Sequence, residues 1–229
     1  MNFHIITIFP KIFDSYFSES IVKRAREKKL IDIKIHNLRD YTVDKHKTVD
    51  DTPYGGGAGM VLKVEPVDKC LKSIKLKNKK SRVILFSAKG KRYVQADAKR
   101  LSKYDNLIFI CGRYEGVDER VAKYLADEEI SIGDFVLTGG EIPAMAVIDS
   151  IVRLIPGALG NDMSSKNESF SKKSYLEHPQ YTKPANYNKW KVPETLLSGN
   201  HKLIDDWRNK QSQGSIKFKT QKLKRKTAA

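Results

Sequence analysis

Short runs dominated by Ile, Leu, Phe and Val recur along this chain, at 3–9, 31–37, 82–87, 107–111 and 129–132. Each is bounded by turn or polar residues and is too short for a typical helix, which predicts five strands. Between them the apolar positions space out to helical intervals. The longest such stretch, 10–29, carries Ile12, Phe13, Tyr16, Phe17, Ile21 and Val22 behind Pro10, a residue suited to a helix start. Similar spacing at 65–76, 93–103 and 117–125 predicts three shorter helices, and the most apolar helix is expected over 142–155. Strands alternating with helices predict an α/β fold with a mostly parallel sheet. The strands are short and rich in Ile, Leu and Phe, as strands covered on both faces are.

After Pro156 the pattern changes. Residues 157–175 are polar and nearly free of periodicity, and loops this long are usually functional or join domains. Proline-rich extended pieces follow, then one amphipathic helix beginning near Asn200 with Leu203, Ile204 and Trp207 on one face. The chain ends in a basic arm without acids, from Lys217 to Lys226. The expected organisation is therefore an α/β domain over 1–160, a linker over 161–175 and a small helical domain with a basic tail over 176–229.

Charge narrows the partners. Of 229 residues, 43 are Lys or Arg and 27 are acidic, a formal net charge of +16. Such a balance favours polyanions, nucleic acid before anionic membranes, although a solvated lysine-rich surface has the same composition. Hydrophobic residues at 40% argue against wholesale disorder. Two cysteines, Cys70 and Cys111, make a disulfide framework improbable, and Cys111 inside "NLIFIC" reads as a small hydrophobe. "MNFHIITIFP" lacks the basic start and cleavage site of a signal, and the most apolar helix is too short to span a bilayer. A cytoplasmic protein without membrane partners is expected.

Several chemistries lose ground. "PYGGGAGMV" does not complete G-x-G-x-x-G and does not follow a strand; no Walker A lysine or G-x-S-x-G elbow occurs. The five histidines are scattered without metal-ligand spacing. Three glycine-bearing loops remain, each at the carboxyl end of a predicted strand: "FSAKG", "CGRYEG" and "SIGDFVLTGGEIP". Ligands of open α/β sheets bind beyond those ends, so three such loops in consecutive units favour a shared cleft walled by Ile132, Phe135 and Leu137. One alone would be only a tight turn.

The strings "GRYEG", "SIGDFVLTGGE", "RLIPGALG", "VDDTPYGGGAGM", "ESF", "HPQYTKP" and "VPETLLSGNHKLIDDWR" together resemble the bacterial tRNA (guanine-N(1)-)-methyltransferases. These belong to the SPOUT class and use S-adenosyl-L-methionine. The resemblance covers nearly the whole chain, in order. It implies an α/β domain with a deep C-terminal trefoil knot, a small helical C-terminal domain that binds tRNA, and a homodimer. Each active site would lie at the subunit interface, with the linker of one chain covering the donor bound by the other. The reaction implied is methyl transfer to N1 of the guanosine immediately 3′ of the anticodon.

The same resemblance assigns residues. Gly112, Ile132, Gly133, Asp134, Phe135, Val136 and Leu137 would contact the donor, with Ser87, Tyr114, Gly139, Gly140 and Pro143 nearby. Glu168, where the family usually has Asp, would be the general base; from the residues alone it reads as a solvated linker acid. Arg153 would stabilise charge at O6, whereas by position it could equally face the C-terminal dipole of its helix. Glu115 would lie near the sulfonium or help hold a Mg2+ ion, or stand as an exposed loop carboxylate. Gly55 to Gly59 would serve dimer and substrate contacts. Two rival readings are another SPOUT enzyme, acting on ribosomal RNA, and a basic RNA-binding protein that has kept the fold without the chemistry.

Overall fold

The computed structural model describes residues 1–75, 80–160, 168–172 and 175–212. The chain divides into two compact units, Met1–Asp162 and Met163–Ala229. The basic arm beyond residue 212 lies outside the described residues.

The first unit opens with β1 (Asn2–Thr7), a 3₁₀ turn (Pro10–Phe13), α1 (Asp14–Phe17), α2 (Ser20–Glu27) and β2 (Asp32–Asn37). A second 3₁₀ turn (Leu38–Tyr41) leads to the short strands β3 (Asp50–Asp51) and β4 (Val61–Leu62) and to α3 (Val64–Ser73). Then come β5 (Ser81–Arg92), α4 (Gln95–Leu101), β6 (Asn106–Cys111), α5 (Glu119–Tyr124), β7 (Glu128–Ser131) and α6 (Glu141–Val152). The main sheet runs β2-β1-β6-β5-β7, and every pairing in it is parallel. The α/β class and the parallel sheet expected from the sequence are both present.

All six side chains of β6 are buried, and they divide between two cores as strand alternation requires. Leu107, Phe109 and Cys111 join Phe3, Ile84 and the helix residues Val22, Ala98 and Ile148 on one face. Ile108 and Ile110 join Leu85, Val67 and Val121 on the other. Thus α2, α4 and α6 cover one face, and α3 and α5 the other.

Three expected elements differ. The helix over 10–29 is broken in two. The Ser18 hydroxyl donates to the Asp14 carbonyl, Glu19 is extended, and Ser20 takes a positive φ of 53°, so local bonds displace the helical ladder. The "FSAKG" loop is an insertion within a strand rather than its end. β5 continues to Arg92, and both Phe86 and Lys91 pair with Ile130, leaving the four intervening residues looped out. The helix expected over 142–155 stops at Val152; Leu154 and Ile155 make tighter i→i−3 bonds before Pro156, which cannot extend it.

The second unit holds a two-stranded hairpin, β8 (Asn186–Tyr187) with β9 (Trp190–Lys191), then α7 (Glu194–Leu197). A helix, α8, spans 201–212. Asn200 caps it as expected, its side-chain oxygen accepting from the Leu203 N–H at 3.2 Å. On that helix Ile204 is buried but Leu203 is exposed, so the apolar face is narrower than the sequence suggested. The hairpin was not foreseen, because the prolines that flank it, Pro184 and Pro193, made this stretch read as extended pieces.

Candidate active site

β6, β5 and β7 are neighbours in the sheet, so the three loops at 87–90, 112–116 and 132–140 meet along one edge. They enclose a cleft of about 300 Å³. Eleven of the twelve residues expected to serve the donor border it: Gly112, Ile132, Gly133, Phe135, Val136 and Leu137, with Ser87, Tyr114, Gly139, Gly140 and Pro143. Asp134 does not. Its exposed carboxylate lies 3.5 Å from the Arg92 guanidinium instead.

Two glycines explain why this backbone is bare. A Cβ on Gly140 would fall 2.7 Å from the Cys111 Cα, because the start of α6 is pinned to the end of β6 by a 3.0 Å bond from Gly140 N–H to the Gly112 carbonyl. A Cβ on Gly90 would fall 2.6 Å from the main chain of Glu129 and Ile130, where β5 resumes beside β7. Tyr114 adopts a positive φ of 61° at the rim, a conformation uncommon for a non-glycine residue.

The mouth is apolar and open. Phe135 is 55% exposed and Val136 89%, with Tyr114 and Leu137 also exposed. A contiguous exposed apolar wall around a cleft marks a binding site rather than core.

One buried charge pair, missed from the sequence, fixes the loops. Glu141 is 1% exposed; one oxygen accepts from the Thr7 hydroxyl at 2.7 Å and the other from Arg113 Nε at 2.9 Å. The Arg113 guanidinium also donates to the Thr138 carbonyl at 3.1 Å and lies 4.8 Å from the Phe9 ring centroid. β1, the loop after β6 and the loop before α6 are thereby joined by one paired, hydrogen-bonded network. The available signal was an acid at the first position of an apolar helix, which reads as a dipole partner. Beside this network, burial pushes the Cys111 thiol well above its ordinary range, and the Glu141 charge adds to that. Cys111 is a packed hydrophobe rather than a nucleophile.

The glycine run reaches the same edge from the other side. Glu115 N–H donates to the Met60 carbonyl at 3.0 Å, and Leu62 N–H to the Gly116 carbonyl at 3.0 Å. A Cβ on Gly59 would meet the Glu115 side chain at 2.5 Å, so that glycine makes room for the carboxylate. Among the described residues no three His, Cys, Asp or Glu side chains come together as a metal-binding group, and Glu115 supplies a single exposed carboxylate.

Arg153 forms the C-cap of α6 and is half-buried in the first unit. Glu168 belongs to the second unit, where its carbonyl accepts from the Ser171 N–H at 3.0 Å. No helix among the described residues is long and apolar enough to cross a membrane.

Residues 1–226 match the family described as tRNA (Guanine-1)-methyltransferase TrmD. A tRNA (guanine-N(1)-)-methyltransferase of Geotalea uraniireducens is 53% identical over 214 residues, 93% of this chain and 86% of that protein. Proteins of the same name from Dehalococcoides mccartyi and Geobacillus kaustophilus are 54% and 51% identical, each over 93% of this chain and 86% of their own length. The glycine loops, the apolar cleft and this near-complete match converge: the chain belongs to the tRNA (guanine-1)-methyltransferase family.

Proposed function

We propose that this protein transfers a methyl group from S-adenosyl-L-methionine to N1 of the guanosine immediately 3′ of the anticodon in tRNA. The carrying observation is the cleft at the sheet edge, bordered by eleven of the expected donor-binding residues and walled by exposed Phe135, Val136 and Leu137. Its size suits part of a nucleoside, its bare backbone suits main-chain contacts to an adenine edge, and its apolar rim suits the ring faces. Asp134 is left out of the side-chain contacts, since its carboxylate pairs with Arg92.

The donor supplies an electrophilic methyl carbon on a sulfonium. Guanine N1 carries a proton near neutral pH, so its lone pair attacks only as that proton leaves. Glu168 accepts the proton, and the N1–C bond forms as the C–S bond breaks to leave a neutral thioether. Negative charge developing on O6 is met by the guanidinium of Arg153, a planar fork of N–H donors. Two chains complete each site in this reading, the linker of one covering the donor of the other. The main-chain crossings of a knotted first unit would explain why Gly90 and Gly140 approach other backbone so closely. The helical second unit and the basic arm would bind tRNA, and the protein would work in the cytoplasm, where tRNA matures in bacteria. The described residues do not form a protein cage for Mg2+; Glu115 offers one ligand, and no step above runs through the ion.

The test uses labelled donor and two unmodified tRNA transcripts that differ only in guanosine or adenosine 3′ of the anticodon. Label is expected as 1-methylguanosine in the first transcript alone. Glu168→Ala should lower transfer by about 10²–10⁴-fold while calorimetric donor affinity stays at the parent value. Transfer at the parent rate would remove Glu168 from its role.

A further inference from the structure

On the second unit, the β8–β9 hairpin displays two large aromatic rings to solvent. Asn188 and Lys189, with φ of 49° and 68°, form its two-residue turn. Positive φ at both positions is the twist-matched geometry of tight hairpins, and asparagine is favoured there. A 2.9 Å bond from Val192 N–H to the Ala185 carbonyl closes the base. Tyr187 stands directly opposite Trp190, which places both rings on one face. Their centroids are 5.8 Å apart with planes tilted by 59°, so each ring keeps an open face. Tyr187 is 58% exposed and Trp190 72%.

A Trp and a Tyr held on a hairpin this short gain little from intramolecular burial, and such a pair marks a surface for a partner. Charge selects the partner. From Lys183 to Val192 there are three lysines, all exposed, and no acid. Lysine is depleted at the centre of protein interfaces, whereas rings interleaved with lysines suit single-stranded nucleic acid. There, each ring stacks on a base of any identity while the ammonium groups meet phosphates. We infer that the hairpin is a stacking platform for an unpaired base of the RNA substrate, with Trp190 as the principal ring and Lys189 and Lys191 as phosphate contacts. The inference rests on the tRNA reading above and adds a subsite to it.

Trp190 and Trp207 are the only tryptophans, so Trp207→Phe leaves Trp190 as the sole indole reporter. Titration of that variant with unmodified tRNA transcript should quench its emission to saturation. In the parent background, Trp190→Ala should raise KM for tRNA about ten-fold, within the range for one lost stack. Its kcat and donor affinity should not change, and Trp190→Phe should recover most of the loss. Emission that ignores bound tRNA, or a parent KM for Trp190→Ala, overturns the inference. A blue shift that grows with protein concentration and without RNA also overturns it, since the hairpin would then join two copies of this chain. RNA quenching retained without any methyl transfer leaves the platform standing and removes the proposed reaction instead.

Discussion

Arg113 and Glu141, 28 residues apart in sequence, form the charge pair that joins the two principal loops of the cleft. Glu141 is nearly inaccessible, so removing its partner leaves a carboxylate with only the Thr7 hydroxyl for compensation. Arg113→Leu should lower unfolding free energy by about 3–5 kcal/mol. Replacing both residues by leucine should cost less than the single change, because no uncompensated charge remains. Urea unfolding of Arg113→Leu, Glu141→Leu and the double variant measures this, and simple additivity would refute the pairing argument. Donor affinity by calorimetry should fall in the two variants that lack Arg113, since the guanidinium that holds the Thr138 carbonyl is gone. The glycines of this edge were legible in the sequence, because three glycine-bearing loops in consecutive strand-helix units pointed to one shared cleft. Arg113, Thr7 and Glu141 were not, because what defines them is a contact between distant positions.

The strands β1 and β2 carry a second polar pair, buried His4 and half-buried His36, set by their register. Ile6 lies opposite His36, and His4 opposite Lys34, so the two imidazoles stack diagonally at 5.2 Å between centroids. His4 Nδ1 lies 3.0 Å from His36 Nε2, and His36 Nδ1 lies 3.3 Å from the Tyr41 hydroxyl. Burial first, then the neighbouring His36 and Lys34, brings His4 down to about 4 from 6.5, against a small opposing effect of Asp32. Burial and Lys34 lower His36 as well. A His whose folded pKa is depressed favours the neutral form, so its stabilising share is complete above 6.5. As pH falls below 6.5 the unfolded chain takes up protons that the fold resists, and stability declines until about pH 4. Denaturant unfolding should therefore show a midpoint that drops between pH 7 and pH 5, and His4→Leu should flatten that drop. An unchanged slope in the variant would assign the acid sensitivity elsewhere. At this scale the sequence was informative about strands, whose apolar runs lie within a few residues of β1, β2, β5, β6 and β7. It misled where a local bond overrode periodicity, as Ser18 does before α2, and where a strand continues past an insertion, as β5 does.

For the whole molecule, excess positive charge and the apolar cleft make separable demands on the two substrates. A chain of net charge +16 that grips tRNA through Lys and Arg releases condensed counterions, so affinity falls with salt in proportion to the phosphates met. The cleft is different. Its lining carries Lys89 against Glu115, Glu119 and Glu129, and its one arginine is already paired with Glu141, so far less charge is left to be screened than on the chain as a whole. Composition alone leaned towards a polyanionic partner without separating it from a solvated surface, and hydrophobic periodicity is silent on knotting. Six phosphate contacts would weaken tRNA binding by about 10³-fold between 50 and 200 mM salt. KM for tRNA should rise by about that order across this range, while the calorimetric Kd for S-adenosylmethionine stays nearly constant. Turnover with both substrates saturating should also hold, because the proposed reaction assigns Glu168 and Arg153 to the guanine and other charges to phosphate. A KM for tRNA indifferent to salt would mean that the basic surface is merely solvated and that recognition rests on shape and stacking.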